Sequence, residues 1–146
     1  MSPSIPRNGK SRNVRQAATI AIRRKNKRWE LCLVRKRSGR RWGIPKGLIE
    51  RGHTLRETAL KETWEEAGLR GRLVGRALGV YEFEKWAGTP IEVTVFLMEV
   101  LAQSDEWPEW DWRERRWVSF RKAEALLEDH PVRPMLERAR ALLDKR

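Results

Sequence analysis

The sequence predicts an α/β fold, a three-layer α/β/α sandwich around a mixed sheet. Strand-like segments lie on both sides of one helical segment, and one or two further helical segments follow the last strand. One strand segment, 93–98, is apolar on both faces, which is typical of a central strand covered by helices on either side. A length of 146 residues favours a single domain with a substantial hydrophobic core.

The first part of the chain predicts a basic tail followed by a β-hairpin. Residues 1–12 are rich in proline, glycine, serine and positive charge and show no periodicity, which predicts a flexible tail and places the folded domain at 13–146. Apolar residues alternate over 14–23 and fill 29–34, and a polar turn at 25–27 separates the two segments. This arrangement is the pattern of a hairpin.

A basic loop and a helix come next. Residues 35–41 are mostly arginine and lysine and lead through the run Trp-Gly-Ile-Pro-Lys-Gly at 42–47 toward a helical segment. Thr54 and Glu57 have the spacing of a capping box, so we expect the helix to begin there. Gly68 is a typical C-terminal cap, and we expect the helix to end at it.

The second half of the chain predicts a long hairpin, a short strand and the remaining helices. Strands are expected at 73–83 and 91–101 with a turn at 85–90 between them. The acidic and aromatic loop at 103–112 contrasts with an otherwise basic chain, and it is open to three interpretations: a lid over substrate, a dimer surface, or packing. The last predicted elements are a strand at 116–119 and helices at 122–128 and 134–143.

Composition limits the partners and the location. The net charge of +12 predicts a polyanionic partner, although charge alone does not choose between nucleic acid, a nucleotide and an inositol polyphosphate. No apolar run is long enough to span a bilayer and no secretory signal pattern is present, so we expect no membrane association. Cys32 is the one cysteine, which excludes an internal disulfide, favours a cytoplasmic protein and predicts a buried, inert thiol.

Three carboxylates in the predicted helix indicate a metal site. Glu62, Glu65 and Glu66 are spaced i, i+3 and i+4, so they share one helical face. Three like charges on one face repel each other, and a cation is the simplest reason to keep them together. Carboxylate oxygens suit Mg²⁺, Mn²⁺ or Ca²⁺, and Mg²⁺ commonly completes its ligand shell with water and substrate phosphate.

The spacing of these residues resembles the signature of the Nudix hydrolases. That signature reads G, five residues, E, seven residues, then R-E-U-x-E-E-x-G-U, where U is a bulky apolar residue. In this chain the first glycine is Gly47, the R-E pair is Lys61-Glu62, the E-E pair is Glu65-Glu66, and Gly68-Leu69 ends the pattern. The resemblance implies a Nudix-type α/β/α sandwich and a Mg²⁺-dependent pyrophosphohydrolase.

Three signature positions differ in this chain. His53 stands in place of the first glutamate, Lys61 in place of the arginine, and Thr63 in place of a bulky apolar residue. The first two changes are linked, because a glutamate and an arginine pair whereas a histidine and a lysine do not. We expect these changes to affect rate and metal affinity more than the fold.

The resemblance extends over most of residues 14–140 and is closest in pattern to diphosphoinositol polyphosphate and diadenosine polyphosphate phosphohydrolases. It implies that Glu62, Glu65 and Glu66 are both catalytic residues and metal ligands. It also implies that the carbonyl oxygen of Gly47 is a further metal ligand. Enzymes of this family often use a further glutamate outside the signature as ligand or base. The candidates for it are Glu82, Glu84 and Glu114.

The cations before the helix are candidates for holding substrate phosphates. We expect this role for Lys46, Arg35, Arg37 and Arg41, with Arg40 as a further candidate. The expected substrate is a small polyanion with a phosphoanhydride bond, nucleoside-diphosphate-linked or a diphosphoinositol polyphosphate. RNA is a second partner class, and the protein is expected as a monomer or homodimer. The alternative function is a catalytically impaired Nudix-fold module that binds a polyanion or an RNA 5′ end.

Overall fold

The computed structural model describes residues 14–86 and 88–145, so the predicted tail at 1–12 lies outside the described residues. The elements, in chain order, are β1 (Val14–Lys25), β2 (Arg28–Lys36), β3 (Lys46–Leu48), α1 (Leu55–Ala67), β4 (Leu69–Trp86), β5 (Thr89–Gln103), β6 (Arg113–Ser119), α2 (Phe120–Leu126) and α3 (Arg133–Asp144).

The sheet is mixed, as the sequence predicts. Over the described residues it has six strands in the order β4-β5-β1-β2-β6, with β3 paired to β1 beside this path. The β1–β5 pair is parallel, and the β1–β2, β1–β3, β2–β6 and β4–β5 pairs are antiparallel. The sequence did not predict β3, because a three-residue strand is too short to show a periodicity.

Helices cover both faces of the sheet, which confirms the three layers. Strand β1 explains how the two faces differ, since its side chains alternate between them. Ala17 and Ala21 belong to the two smaller buried clusters, which contain α1 residues. Ile20 and Ile22 belong to the large cluster, with side chains from α2 and α3. The small residues on one side let α1 approach the sheet closely.

The helix α1 begins and ends where its capping residues predict. The hydroxyl of Thr54 accepts a hydrogen bond from the Glu57 backbone N–H at 3.0 Å, and the Glu57 carboxylate accepts one from the Thr54 backbone N–H at 2.8 Å. Gly68 follows the helix in the left-handed conformation at φ 69°, which glycine adopts without strain. The position of α1 along the chain is therefore fixed by local interactions.

Thr63 replaces an apolar signature residue without leaving a buried hydroxyl unsatisfied. Its side chain is fully buried, its Oγ1 lies 2.7 Å from Oγ1 of Thr19 on β1, and it donates to the carbonyl of Ala59 at 2.7 Å. Buried polar groups without such partners destabilise a fold. The departure at position 63 is matched by a second hydroxyl on the strand that the helix covers.

Among the described residues, no helix has the length and apolarity needed to cross a bilayer. The thiol of Cys32 is fully buried in β2, as predicted, and burial raises its pKa to about 12.

Cys32 should therefore resist alkylation in the folded protein. Because the thiolate is the reactive form, a raised pKa and burial both slow the reaction. At pH 8 we expect iodoacetamide to modify Cys32 more than about 100-fold more slowly in native buffer than in denaturant, measured by mass spectrometry over time. Equal rates in both solutions would show that the thiol is accessible in the fold.

Candidate active site

Two of the three predicted carboxylates of α1, Glu62 and Glu66, contact strand β3. Glu66 is buried, and its Oε1 accepts a hydrogen bond from the backbone N–H of Lys46 at 3.2 Å. Gly47, the next residue of β3, packs against the side chain of Glu62. The structure thus brings the first signature glycine together with the first glutamate of α1's carboxylate set, Glu62, although 15 residues separate them in the chain.

Gly47 lies in close contact with the Glu62 side chain. A Cβ atom added at position 47 would collide with the Glu62 carboxyl group and its Cγ atom. Any larger residue at position 47 would therefore displace the Glu62 side chain from its present position. The glycine of the signature thus leaves room for one of the three carboxylates of α1.

Burial makes it energetically unfavourable for the carboxylates of α1 to carry their negative charges. Desolvation raises the pKa of Glu66 to about 7, and the nearby Arg113 opposes this shift. Desolvation and the charge of Glu65 also raise the pKa of Glu62. Both shifts mean that the negative form of these side chains is poorly solvated. A positive charge placed between them would be strongly favoured.

Two side chains supply part of that positive charge. The Nζ atom of Lys61 lies 2.9 Å from Glu50, 2.9 Å from Glu65 and 3.5 Å from Glu62. Hydrogen bonds to Glu65 and Glu50 raise the pKa of Lys61, so the lysine remains charged. Arg113 contacts the third carboxylate, with its Nη2 3.7 Å from Glu66. His53 cannot pair with Lys61 as a glutamate would pair with an arginine. Glu50 supplies a carboxylate partner for Lys61 instead.

The donor set fits a hard divalent cation. Partly buried carboxylates with raised pKa values and a neighbouring glycine are the oxygen-rich, negative environment that Mg²⁺ and Mn²⁺ prefer. Within 14–86 and 88–145, however, no three His, Cys, Asp or Glu side chains converge closely enough to hold an ion as they stand. The Lys61 ammonium contacts both Glu62 and Glu65.

The acidic and aromatic loop anchors the C-terminal end of α1. The last carbonyls of a helix have no partner within the helix, and here residues from 104–115 satisfy them. Four donors bind four consecutive carbonyls: the Glu109 N–H binds Glu65 at 3.1 Å, Trp107 Nε1 binds Glu66 at 2.9 Å, Arg115 Nη1 binds Ala67 at 2.7 Å, and the Ser104 N–H binds Gly68 at 2.9 Å.

This arrangement favours the packing interpretation of the loop. Trp107 is 9% exposed and lies against α1, whereas Trp110 and Trp112 are each 44% exposed. The buried tryptophan holds the helix end that carries Glu65 and Glu66. The loop is thus part of the framework of the site.

Glu109 of this loop is a fourth carboxylate at the site, which the sequence analysis missed. Its Oε1 accepts a hydrogen bond from Arg113 Nε at 2.8 Å, and its charge raises the pKa of both Glu62 and Glu66. The signal in the sequence was the acidic loop itself, but only the backbone bond to Glu65 shows that the loop returns to α1.

The three glutamates considered from sequence make other contacts. Glu114 accepts a hydrogen bond from Arg35 Nε at 2.7 Å, and Glu84 accepts one from the Gly88 N–H at 3.1 Å. Glu82 lies opposite Glu92 in the β4–β5 pair. Glu109 is therefore better placed than these three for a role beside the signature carboxylates.

A cavity of about 650 Å³ opens next to Glu66. Trp42 forms part of its wall and stacks under the guanidinium of Arg35, which lies 4.3 Å from the ring centroid. Six further lining residues are cations: Lys36, Arg40, Arg41, Lys46, Lys85 and Arg113. A pocket of this composition can hold several phosphate groups beside the carboxylate face.

The predicted phosphate-binding residues divide into two groups. Lys46, Arg35 and Arg41 line the cavity, as does Arg40. Arg37 does not line it, and its Nη2 donates to the carbonyl of Trp110 at 3.0 Å. The pKa of Lys46 is lowered by burial, and its Nζ donates to Gln16 at 2.8 Å. The structure thus brings three of the four predicted cations together in the wall of one cavity.

His130 lines the same cavity. Its ring packs edge-on against Tyr81 with centroids 5.6 Å apart, and its Nδ1 accepts the Val132 N–H at 3.0 Å. Burial and the charge of Lys46 lower its pKa to about 4. His130 is therefore neutral at pH 7 and forms part of the cavity wall. His53, in contrast, is exposed.

Comparison with known proteins identifies the family. Residues 13–139 match the sequence model of the NUDIX domain, and the chain belongs to this family, as its signature predicts. Nudix hydrolase 21, chloroplastic, of Arabidopsis thaliana is 34% identical over 108 residues, 73% of this chain and 54% of that protein. Nudix hydrolase 4 of the same plant is 33% identical over 109 residues, 74% of this chain and 52% of the relative. The chain thus spans about half the length of these curated relatives.

Solved structures agree on the fold. The crystal structure of C. elegans Ap4A hydrolase has a TM-score of 0.74 at 19% identity, covering 90% of this chain and 98% of that one. The crystal structure of UDP-X diphosphatase has a TM-score of 0.68 at 18% identity, covering 93% and 67%. At these identities the likeness shows the Nudix fold alone.

Replacing Gly47 with alanine should disturb the carboxylate face. Because the added methyl group collides with Glu62, we expect the free energy of unfolding to fall by about 1 to 3 kcal/mol and divalent-ion binding to weaken. Chemical denaturation with and without Mg²⁺ measures both effects.

The matched control is Gly43→Ala, where the nearest atom to an added Cβ is His130 Nε2 at 4.0 Å. This variant should keep its stability. A Gly47→Ala protein that matches Gly43→Ala in both stability and Mg²⁺ binding would contradict the contact between Gly47 and Glu62.

Proposed function

We propose that this protein is a Mg²⁺-dependent hydrolase that cleaves a phosphoanhydride bond, with Mn²⁺ as an alternative ion. The carboxylate face of α1 beside a cavity lined by seven arginines and lysines carries the proposal. A negatively charged face that can bind a metal ion, next to a positively charged cavity that can bind anions, suits a substrate with several phosphates. Its preferred substrate is a nucleoside-diphosphate-linked compound or a diphosphoinositol polyphosphate, consistent with the net charge of +12.

The chemistry requires positioning and charge stabilisation and no covalent nucleophile. A bound divalent ion would neutralise phosphate charge and lower the pKa of a coordinated water. Glu62, Glu65 and Glu66, with the carbonyl of Gly47, are the groups that would hold it. We assign the role of proton acceptor to Glu109, because it joins the site without belonging to the signature.

The cavity residues would hold the substrate. Lys46 is fixed by its bond to Gln16 at 2.8 Å and by the Phe83 ring, whose centroid lies 4.7 Å from Nζ, so its ammonium is held in place before substrate arrives. Arg40 and Arg41 lie on the more exposed part of the cavity wall and are placed to take phosphates farther from the carboxylates.

A substrate panel tests the proposed reaction. The panel contains diadenosine polyphosphates, diphosphoinositol polyphosphates, ADP-ribose, nucleoside triphosphates and 5′-triphosphorylated RNA, each with Mg²⁺, Mn²⁺ or chelator. We expect chelator-sensitive release of phosphate or nucleotide from one of the first two classes. Tight binding of a polyanion or an RNA 5′ end without turnover under any condition would support the binding-module alternative instead.

Neutral substitutions of the site carboxylates should remove activity and leave the fold intact. We expect Glu65→Gln, Glu66→Gln and Glu109→Gln each to lower kcat by about 100- to 10,000-fold, with far-ultraviolet circular dichroism unchanged. Steady-state kinetics on the best panel substrate measures the effect. The control is Glu82→Gln, which changes an exposed glutamate of β4. A loss in Glu82→Gln equal to that in Glu109→Gln would contradict the role of Glu109.

Two exposed arginines of one loop provide a matched test of the cavity. Arg41 lines it, and Arg37 instead bonds to the Trp110 carbonyl. We expect Arg41→Ala to raise KM by about 10- to 100-fold, since one charge-assisted bond to phosphate is lost, and Arg37→Ala to change KM by less than about twofold. Equal effects of the two variants would mean that overall charge, not the cavity, holds the substrate.

A further inference from the structure

The ammonium group of Lys61 contacts three carboxylates at once. Its Nζ contacts Glu65 and Glu50 at 2.9 Å each and Glu62 at 3.5 Å. Two of these three partners are the carboxylates that would hold a divalent ion, and the third, Glu50, belongs to the loop before α1. The ammonium group therefore lies between the signature carboxylates and a carboxylate outside them.

A divalent ion and the Lys61 ammonium compete for these carboxylates. Mg²⁺ binds oxygen at about 2.0 to 2.1 Å, and the ammonium, which contacts Oε2 of both Glu62 and Glu65, repels an ion held by the same side chains. Lys61 has a flexible four-carbon stem, so its end can move while its backbone stays in the helix. Glu50 offers the ammonium a carboxylate that is no part of the expected ligand set.

We propose that Lys61 is a tethered counter-ion of the metal-free protein, displaced by the divalent ion, and that Glu50 retains its ammonium group after displacement. The proposal rests on the metal-dependent function proposed above and concerns the loading of its site. Lys61 and Glu50 are positioning residues in this account, since they act through Glu62 and Glu65.

Two consequences follow for the metal-free and metal-loaded states. Without metal, Lys61 offsets the repulsion between Glu62 and Glu65 and stabilises the end of α1. With metal, the same charge opposes binding, and the Glu50 contact lowers that opposition. Lys61 and Glu50 should therefore affect metal affinity in opposite directions and should depend on each other.

Calorimetric titration of the metal-free protein with Mg²⁺ and Mn²⁺, without substrate, tests this dependence. We expect Lys61→Gln to bind the ions about 10-fold more tightly than the wild type and Glu50→Gln to bind them several-fold more weakly. In the Lys61→Gln background, adding Glu50→Gln should change the Kd by less than about twofold. The reason is that this background has no Lys61 ammonium group for Glu50 to bind.

Simple charge effects predict a different pattern. If Glu50 and Lys61 acted only through the electrostatic fields of their charges, Glu50→Gln would weaken metal binding equally in the wild type and in Lys61→Gln. Additive effects would therefore overturn the proposal, as would a Lys61→Gln variant with wild-type affinity or no ion binding by any variant. Arg51→Gln, which removes an exposed charge next to Glu50, is the control and should leave the Kd within about twofold.

Thermal unfolding gives a second readout that does not depend on turnover. Lys61→Gln should have a lower Tm than the wild type in chelator and a larger increase in Tm on adding saturating Mg²⁺, because binding of the ion stabilises the folded state. Equal increases in the two proteins would overturn the proposal. If the affinities follow the expected pattern but no panel substrate is cleaved, the proposal holds and the hydrolase function fails.

Discussion

Repulsion among the carboxylates of α1 is the constraint on which the rest of the site depends. Glu62 and Glu66 are partly or fully buried with raised pKa values, and such charges are retained only where other groups offset them. In this protein the offset comes from Lys61 and Arg113 and from the Lys46 N–H. These groups come from α1 itself, from β3 and from β6, so three separate elements assemble the site.

The fold is arranged to hold that helix in place. Small residues of β1 let α1 lie close to the sheet, the Thr19–Thr63 pair joins them by a buried hydrogen bond, and Gly47 allows β3 to contact Glu62. At its other end, residues 104–115 satisfy the free carbonyls of α1. The segment that follows the long β4–β5 hairpin thus contributes to the same site as the signature before it.

Much of this organisation could be predicted from the sequence because it depends on local chemistry. The capping box at Thr54, the cap at Gly68 and the spacing of the carboxylates are short-range features, and all appear in the structure. The hairpins and the three layers follow from strand and helix periodicity. Contacts between distant segments could not be predicted in this way: the Glu50–Lys61 pair, the Thr19–Thr63 pair and the approach of Glu109 to α1 depend on tertiary structure. The position of His130 in the cavity wall depends on tertiary structure too, since its partner Tyr81 is far from it in sequence.

The most direct test of this account is a crystal structure of the protein soaked with Mn²⁺, with the ion located by its anomalous scattering. The account predicts an anomalous peak within ligand distance of the Glu62, Glu65 and Glu66 carboxylates and the Gly47 carbonyl, beside the cavity lined by Lys46 and Arg41. A fully occupied Mn²⁺ site elsewhere, with the three glutamates still bonded to Lys61 and Arg113, would contradict it.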